Sequence, residues 1–590
     1  MERRAALAIG LSLLILYLYQ AFVLPPQPAP AEQQAGAPAA SAPAAPGRPV
    51  EALQPTPVAP APSAAAPEVV TADTAEREIV VDNGVVEAVF TNRGARLLHW
   101  RLKRYLGDGG APVDLVPGNL PPELPRPLSL TLADADATTR ANTALYRVTG
   151  DTGGRLDVRD APGRLVFEYE DAAGLRLRKE IEFAPNSYVF TFSPTVTQAG
   201  GPVMPVIQWG PGLGDVGARS AGGSFFTGNY VQPPSAIYER DGDVTRVVPD
   251  SIAEERVHEG TFAFVGVDDH YFLVAAIEPG RARVEYDTVS SPASEDAGRR
   301  FVSHSLALAG EPRPVKVFAG PKALETLQAA GAGGALAEAI NFGIFTWLVI
   351  PLLSALKWLY GFVGNYGWAI VLLTIVINLA MFPLRHKSLV SMRRMQALQP
   401  QIKAIQERYA DLKMTDPARQ KMNTEVMNLY REKGVNPASG CVPMLLTMPV
   451  LLAFYSMLSQ SIELRGADFG FWIHDLSQKD PYYVTPLLMG ATMFWQQWVT
   501  PTSADPAQQR MMMFMPLLLT GIFVSLPSGL AIYYLISNMC QIGQQYMTNR
   551  LIGKPPAIPA RAAAGGSKLK NAGAGKTSGA ASVKPGDRKA

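Results

Sequence analysis

Cysteine occurs only twice, as Cys441 and Cys540, so neither a disulfide framework nor a four-thiolate zinc site can be built. Charged residues are 18 % of the chain, below the usual quarter. The net charge of +2 excludes a globally basic nucleic-acid binder. Proline (50) and glycine (52) are too few and too local for collagen, and mark linkers instead. Apolar side chains are plentiful, at 47 % of 590 residues. A chain this long needs at least two units. With so little charge, an ordinary domain joined to strongly apolar segments is expected.

Arg3 and Arg4 precede an apolar run over residues 5–24. At about 1.5 Å per residue it can cross a hydrocarbon core of about 30 Å. It is longer than the apolar region of a cleaved signal peptide, so a retained anchor is expected, with the N-terminus in the cytosol. No cysteine lies nearby to carry a lipid. Residues 25–73 are rich in Pro and Ala and read as an extended tether.

From residue 74 to 320 the pattern is period-two alternation between turns. Leu165, Phe167 and Tyr169 alternate with polar neighbours; Leu175, Leu177, Lys179, Ile181 and Phe183 follow, then Tyr188, Phe190 and Phe192. Regular short strands with Gly/Pro turns predict an antiparallel β-sandwich without staples. His270 and His304 lie near Asp268 and Asp269, yet nothing there has metal-ligand spacing or a nucleophile elbow, so they read as ordinary surface or strand residues.

The rest of the apolar residues are settled by parity. Residues 341–363 contain Pro351 and Lys357; residues 366–384 form a cleaner span followed at once by Arg385, His386 and Lys387. Two full crossings would put that basic stretch outside, against the positive-inside rule. The first therefore reads as an interfacial helix within a region at 321–365. Residues 385–436 carry eleven Lys or Arg against five acids, with an apolar stripe at spacings of three and four. A cytosolic helical hairpin over 385–441 is predicted, its second helix capped by Asp416-Pro417. Spans follow at 442–461, 482–499, 511–526 and 528–547, with an acidic outer loop at 462–481, a cytosolic loop at 500–510 and a basic, disordered cytosolic tail at 550–590. The expected fold class is an α-helical membrane bundle of six transmembrane helices, five of them the core, plus an exported all-β domain, with both termini cytosolic.

These spans hold almost no ionisable residue, which argues against an ion-coupled transporter. They lack the His/Glu pair of a metalloprotease, the Ser/His pair of a membrane serine protease, and any phosphate-binding glycine loop. No enzyme and no cofactor is expected. Neutral polar residues do share helix faces: Thr374 with Asn378, then Tyr534, Asn538, Gln541 and Gln545, with Thr447 and Ser456 on the third span. Interhelical hydrogen bonding and a hydrated groove account equally well for that spacing. The aromatics Trp347, Trp358, Trp472 and Trp495 are candidates for the interface belts.

The segments Asn436-Pro437-Ala438-Ser439-Gly440-Cys441-Val442-Pro443 with Met448-Pro449, Phe471-Trp472-Ile473-His474-Asp475-Leu476, and Leu526-Pro527-Ser528-Gly529-Leu530 with Tyr533-Tyr534 and Ser537-Asn538 resemble the YidC-type membrane protein insertases (the YidC/Oxa/Alb family) in their Gram-negative form. The resemblance runs from about 341 to 550. It implies a periplasmic β-supersandwich domain and five core spans around a hydrophilic groove open to the cytosol and lipid. Thr374, Asn378, Thr447, Tyr534, Asn538 and Gln541 are the expected groove residues; Arg393, Arg394, Lys403 and Arg408 are the expected cytoplasmic contact region. The implied activity is insertion and folding of inner-membrane proteins without nucleotide, alone or with the Sec translocon. Implied partners are nascent membrane proteins, the Sec translocon, lipids and, through the basic tail, the ribosome. The family usually has an arginine where Asn378 stands and a glutamine where Thr447 stands, so a polar but neutral groove is expected. The competing functions are a structural assembly factor of the translocon and a passive channel.

Overall fold

The computed structural model describes residues 69–107, 110–118, 124–213, 232–290, 300–409, 418–435, 442–499 and 506–552. The anchor at 5–24, the tether to residue 68, the tail from 553, the Asp416-Pro417 cap, residues 436–441 and most of the 500–510 loop lie outside them.

The first part is all β. A small mixed sheet centres on the antiparallel strands β1 (Glu78–Asp82), β2 (Val86–Thr91) and β3 (Arg96–Leu106), with residues 155–157 pairing in parallel along β1. The main strands of the larger sheet are β4 (Gly163–Asp171), β5 (Leu175–Phe183), β6 (Val189–Gln198), β7 (Val206–Gly212), β8 (Ser235–Arg240), β9 (Val257–Asp268), β10 (Phe272–Ser290), β11 (Arg300–Leu308) and β12 (Val315–Pro321). They run in the order β4–β5–β6–β12–β10–β9–β8, while the far half of β10 pairs with β11 and β11 with β7. The sheets share a core of Phe90, Trp100, Phe167, Phe190, Phe192 and Phe318, and Trp100 Nε1–H donates to the Ala319 carbonyl across them at 2.9 Å.

Strand β5 follows the alternation closely, with Leu175, Leu177, Lys179, Ile181 and Phe183 inside. The lysine on that face is fully buried, and its Nζ donates to the carbonyls of Gly94 (2.7 Å), Ala95 (3.3 Å) and Leu128 (2.8 Å). Three donors meet three acceptors, which offsets the cost of burial. Of the two histidines, His304 is a strand residue as expected, and His270 is neither on the surface nor in a strand. His304 sits inside β11 and His270 in the β9–β10 turn, and both are buried.

A helical part follows through the short α1 (Leu324–Ala329), after which come α2 (Thr346–Val363), α3 (Tyr366–Ala397), α4 (Gln399–Arg408), α5 (Ala418–Glu432), α6 (Val442–Gln460), α7 (Val484–Val499), α8 (Pro506–Phe523) and α9 (Ser528–Ile552). By length and apolarity, 343–363 and 366–397 could each cross a bilayer. Gly364, in the left-handed conformation, ends α2, and Asn365 caps α3 by accepting from the Trp368 N–H at 3.1 Å. Lys357 does not stand bare in α2: its Nζ meets Glu463 at 2.9 Å and Glu325 at 3.2 Å. Trp347, Trp358 and Phe362 of the same helix are exposed.

The hairpin starts as a continuation of α3, which runs without a break through Leu384 and Arg385 to Ala397. The first arm of the hairpin is then broken, because Pro400 stands in the first turn of α4 and cannot continue the preceding helix. Helices α4 and α5 are joined through Glu425, which accepts from Arg408 (3.2 Å) and from the Tyr409 hydroxyl (2.8 Å).

Candidate functional site

The polar cluster of the bundle is built on α3, α6 and α9. Helix α3 is seated against the loop over 462–481, where a Cβ on Gly367 would lie 2.0 Å from the Phe469 ring. From that anchor Thr374, Asn378 and Arg385 fall on one buried face. Thr374 Oγ donates to the Ile370 carbonyl at 2.7 Å, and Asn378 Nδ2 donates to the Thr374 carbonyl at 2.8 Å. Arg385 Nη1 donates to Asn378 Oδ1 at 3.1 Å, and Nη2 lies 3.5 Å from Thr447 Oγ1 on α6.

That geometry corrects the neutral groove expected from Asn378. Positions 378 and 385 are two helical turns apart, about 10 Å along the axis. Side chains on a helix lean toward its N-terminus, so a long one at 385 reaches back along the face rather than out to the rim. Arg385 opens the basic run in the sequence, yet its side chain is buried and joins the cluster. No carboxylate pairs with it among the described residues. A buried guanidinium held only by neutral oxygens is costly where it stands and keeps unspent attraction for an anion.

Helix α9 supplies the other wall, with a phase that sequence spacing left ambiguous. Ser537 Oγ lies 3.3 Å from Asn378 Nδ2, Gln544 Nε2 donates to the Asn378 carbonyl at 2.8 Å, and Gln541 Nε2 donates to Ser537 Oγ at 3.1 Å. Asn538 and Gln545 instead face α7, bonding the Met489 carbonyl (3.5 Å), Thr492 Oγ1 (3.4 Å) and the Val499 carbonyl (2.9 Å). Gln541 lies between the two faces and also accepts from Gln496 at 2.6 Å. Tyr534 sets its ring edge-on to Phe523. So the structure brings Thr374, Asn378, Thr447 and Gln541 together and turns Asn538 toward α7, while Tyr534, its ring packed on Phe523, is near enough to Arg385 to interact with it electrostatically. It adds Arg385, Ser537 and Gln544. The triplet 537, 541, 544 has the same 4–3 spacing as 534, 538, 541, and polar residues on both faces hid the choice.

Toward the C-terminal ends of the two helices Arg393 bonds Asn549, and His386 Nδ1 lies 3.2 Å from Thr548 Oγ1, tying α3 to the end of α9. Arg394 and Lys403 are exposed, and Arg408 is exposed but paired with Glu425. The four predicted contact residues thus divide into one helix tie, two solvated cations and one hairpin pair.

The fold and the cluster define a class: a helical membrane protein with an all-β domain ahead of its bundle and one buried cation inside. Residues 78–355 match the family described as YidC periplasmic domain, and residues 358–555 the family described as 60Kd inner membrane protein. The chain is 36 % identical over 567 residues to the membrane protein insertase YidC of Oleidesulfovibrio alaskensis, covering 92 % of this chain and 98 % of that protein. It is 34 % identical over 580 residues to the YidC of Syntrophus aciditrophicus, covering 93 % of this chain and 100 % of that one. A crystal structure of an active YidC insertase with its first transmembrane domain resolved is 21 % identical and covers 82 % of this chain and 95 % of that one, at a TM-score of 0.32. The chain belongs to the YidC family of membrane protein insertases, and it is an inner-membrane protein.

Proposed function

We propose that this chain inserts newly made inner-membrane proteins into the bilayer without nucleotide hydrolysis, by lending the substrate's polar flank a wet, cationic half-path between α3, α6 and α9. The observation that carries this is the Arg385 guanidinium, buried against Asn378 and Thr447 without a carboxylate. An unsatisfied polar group in hydrocarbon costs several kcal/mol. A lined recess shortens that path, and an acidic flank gains the anion contact that the arginine lacks at rest. The substrate's apolar segment then leaves into lipid, which drives release.

In this reading the spans are 5–24, 366–384, 442–461, 482–499, 511–526 and 528–547, with α2 lying along the outer surface and both termini in the cytosol. The eleven Lys or Arg against five acids over 385–436 support that orientation. The exposed Trp347, Trp358 and Phe362 support contact of α2 with lipid. Nascent membrane proteins are the substrates; the Sec translocon and the ribosome, through the basic tail, are the partners this topology accommodates.

The test is insertion of a single-spanning client with an acidic translocated tail into liposomes holding the full-length protein. Arg385→Ala is expected to lower the yield at least 10-fold, and the double change Asn378→Arg with Arg385→Thr to recover most of it. Undiminished insertion by Arg385→Ala would overturn the proposal.

A further inference from the structure

The β domain does not merely hang from the bundle. The turn between β9 and β10 (residues 269–271) reaches into the outer end of the helical part, and each of its residues is engaged. Behind it Asp268, fully buried, accepts from Gln232 (2.9 Å), Arg246 (3.0 Å) and Lys322 (3.0 Å), which root the turn in the sheet. Asp269 Oδ1 accepts from the backbone N–H groups of Tyr271 (2.8 Å) and Phe272 (2.7 Å), which sets the shape of the turn.

Two side chains then leave it. His270 Nε2 lies 2.6 Å from the Ser459 carbonyl, in the last turn of α6. A carbonyl can only accept, so Nε2 carries the hydrogen. The last carbonyls of a helix have no partner within it, and one buried under a second domain needs a donor from outside. His270 supplies it. Burial holds its imidazole down at about 4, so it is neutral in ordinary buffers. Tyr271 takes the other direction: its ring meets the His270 ring edge-on at 4.4 Å, its hydroxyl bonds Ser477, and the Arg465 guanidinium lies over the Tyr271 and Phe272 rings at 5.5 and 5.2 Å.

Ser477 belongs to the loop that closes the outer end of α9. In that loop the Gln478 carbonyl accepts from the Ser528 N–H (2.7 Å), the Leu476 carbonyl from the Gly529 N–H (3.1 Å), and the Asp475 carbonyl from Ser528 Oγ (3.2 Å). The turn thus holds two things at once: the outer end of α6, which carries Thr447, and the loop above α9, which carries Ser537, Gln541 and Gln544. Leu530, in the first turn of α9 next to these contacts, is buried.

We infer that the 269–271 turn is a latch by which the β domain keeps the outer end of the bundle sealed while the polar cluster is used from the opposite side, with His270 as the positioning residue and Arg465 as its counterpart on the loop. This rests on the insertase reading of the cluster. An insertase must admit water and polar chain from one side without opening a continuous path to the other. A seal made of helix ends held by a separate, rigid sheet domain meets that need, because the sheet does not move with the helices that handle the substrate.

The test uses the full-length protein, with Cys441 and Cys540 replaced by alanine and one reporter, Leu530→Cys, in vesicles whose outer face carries the β domain. An impermeant maleimide is added to that face. With the latch intact, labelling is expected to be slow. His270→Ala and, separately, Arg465→Met are expected to raise the rate at least 5-fold, and His270→Gln, whose amide can still donate to the Ser459 carbonyl, to return it toward the starting value. Where His270→Ala lowers protein yield, Arg465→Met carries the comparison by itself. Labelling unchanged in both variants would overturn the latch, as would a rise that His270→Gln shares in full. Arg385→Ala separates the two proposals: with the latch intact it is expected to lose insertion and keep labelling slow. Normal insertion by that variant would sink the insertase reading and leave the labelling result standing.

Discussion

Lys179 in the β domain and Arg385 in the bundle are both buried cations, and they are satisfied differently. The ammonium of Lys179 has three donors, and three main-chain carbonyls receive them. Those carbonyls lie in strand and loop backbone that the sheet already holds, so this arrangement is closed. The guanidinium of Arg385 has five donors, and its protein contacts are side-chain oxygens of Asn378 and Thr447. A closed arrangement serves the fold, whereas one with spare donors and no counter-charge can take a further partner. Burial of charge therefore does not by itself distinguish stability from function; the acceptor inventory does.

The sharpest way to break that comparison is to delete both cations. Lys179→Ala leaves a cavity and three buried carbonyls without donors, and should destabilise the β domain by roughly 3–5 kcal/mol. Urea unfolding followed by intrinsic fluorescence would read it. Arg385→Ala should instead leave the melting temperature within a few degrees of the parent while insertion falls at least 10-fold. A stability loss in the arginine variant as large as in the lysine variant would erase the distinction.

A smaller effect is expected where polarity changes without loss of the cation. Asn378→Leu combined with Thr374→Val removes two polar side chains of the cluster but keeps Arg385. Insertion should fall several-fold for clients carrying three added acidic residues in the translocated tail, and little for clients with none. Equal losses across such a client series, tracking the melting temperature, would reduce these residues to helix packing.

Next in size is a pH effect at the junction of the two regions. Burial lowers the His270 imidazole to about 4 from an ordinary value near 6.5, with Lys322 and Arg465 pushing the same way and Asp268 and the Ser459 carbonyl opposing. The unfolded chain then binds more protons than the folded one between these values, so His270 costs stability as pH falls from about 6.5 to 4. Burial raises the neighbouring Asp269 carboxyl to about 6, which works in the opposite direction over much the same range. His270→Gln removes only the first effect. Relative to the parent it should gain roughly 2–3 kcal/mol between pH 7 and pH 4, measured as the difference of melting curves in detergent. A difference that does not change with pH would show that the imidazole is not buried as described.

The smallest expected effect lies on the solvated face. Arg408 and Glu425 form an exposed pair across α4 and α5, and Arg408→Gln should change stability by no more than about 0.5 kcal/mol. A change of several kcal/mol would mean that the hairpin depends on this contact in a way its exposure does not suggest.

Much of this was legible in the residues themselves. Alternation of Leu175, Leu177, Ile181 and Phe183 required a half-buried strand, because side chains two apart share a face of a sheet. It even placed Lys179 on the inner face. Apolar length picked out the segments that form the long helices of the bundle, because apolarity summed along a segment is a sequence-local quantity. Thr374 and Asn378 shared a helix face for the same periodic reason. Long-range choices were not written there. Whether Arg385 points to the rim or back along its helix depends on Asn378 and Thr447 being in reach. Which polar stripe of α9 meets α3 depends on a helix rotation that 4–3 spacing leaves open, so Ser537 and Gln544 were missed. His270 read as an unremarkable surface or strand residue because its partner, the Ser459 carbonyl, lies 189 positions away. Periodicity, length and charge sign are properties of neighbouring residues and so are fixed before the chain folds. The partner of a buried donor is chosen only when distant segments pack, and in this protein that choice decides which polar residues face one another and where the two domains meet.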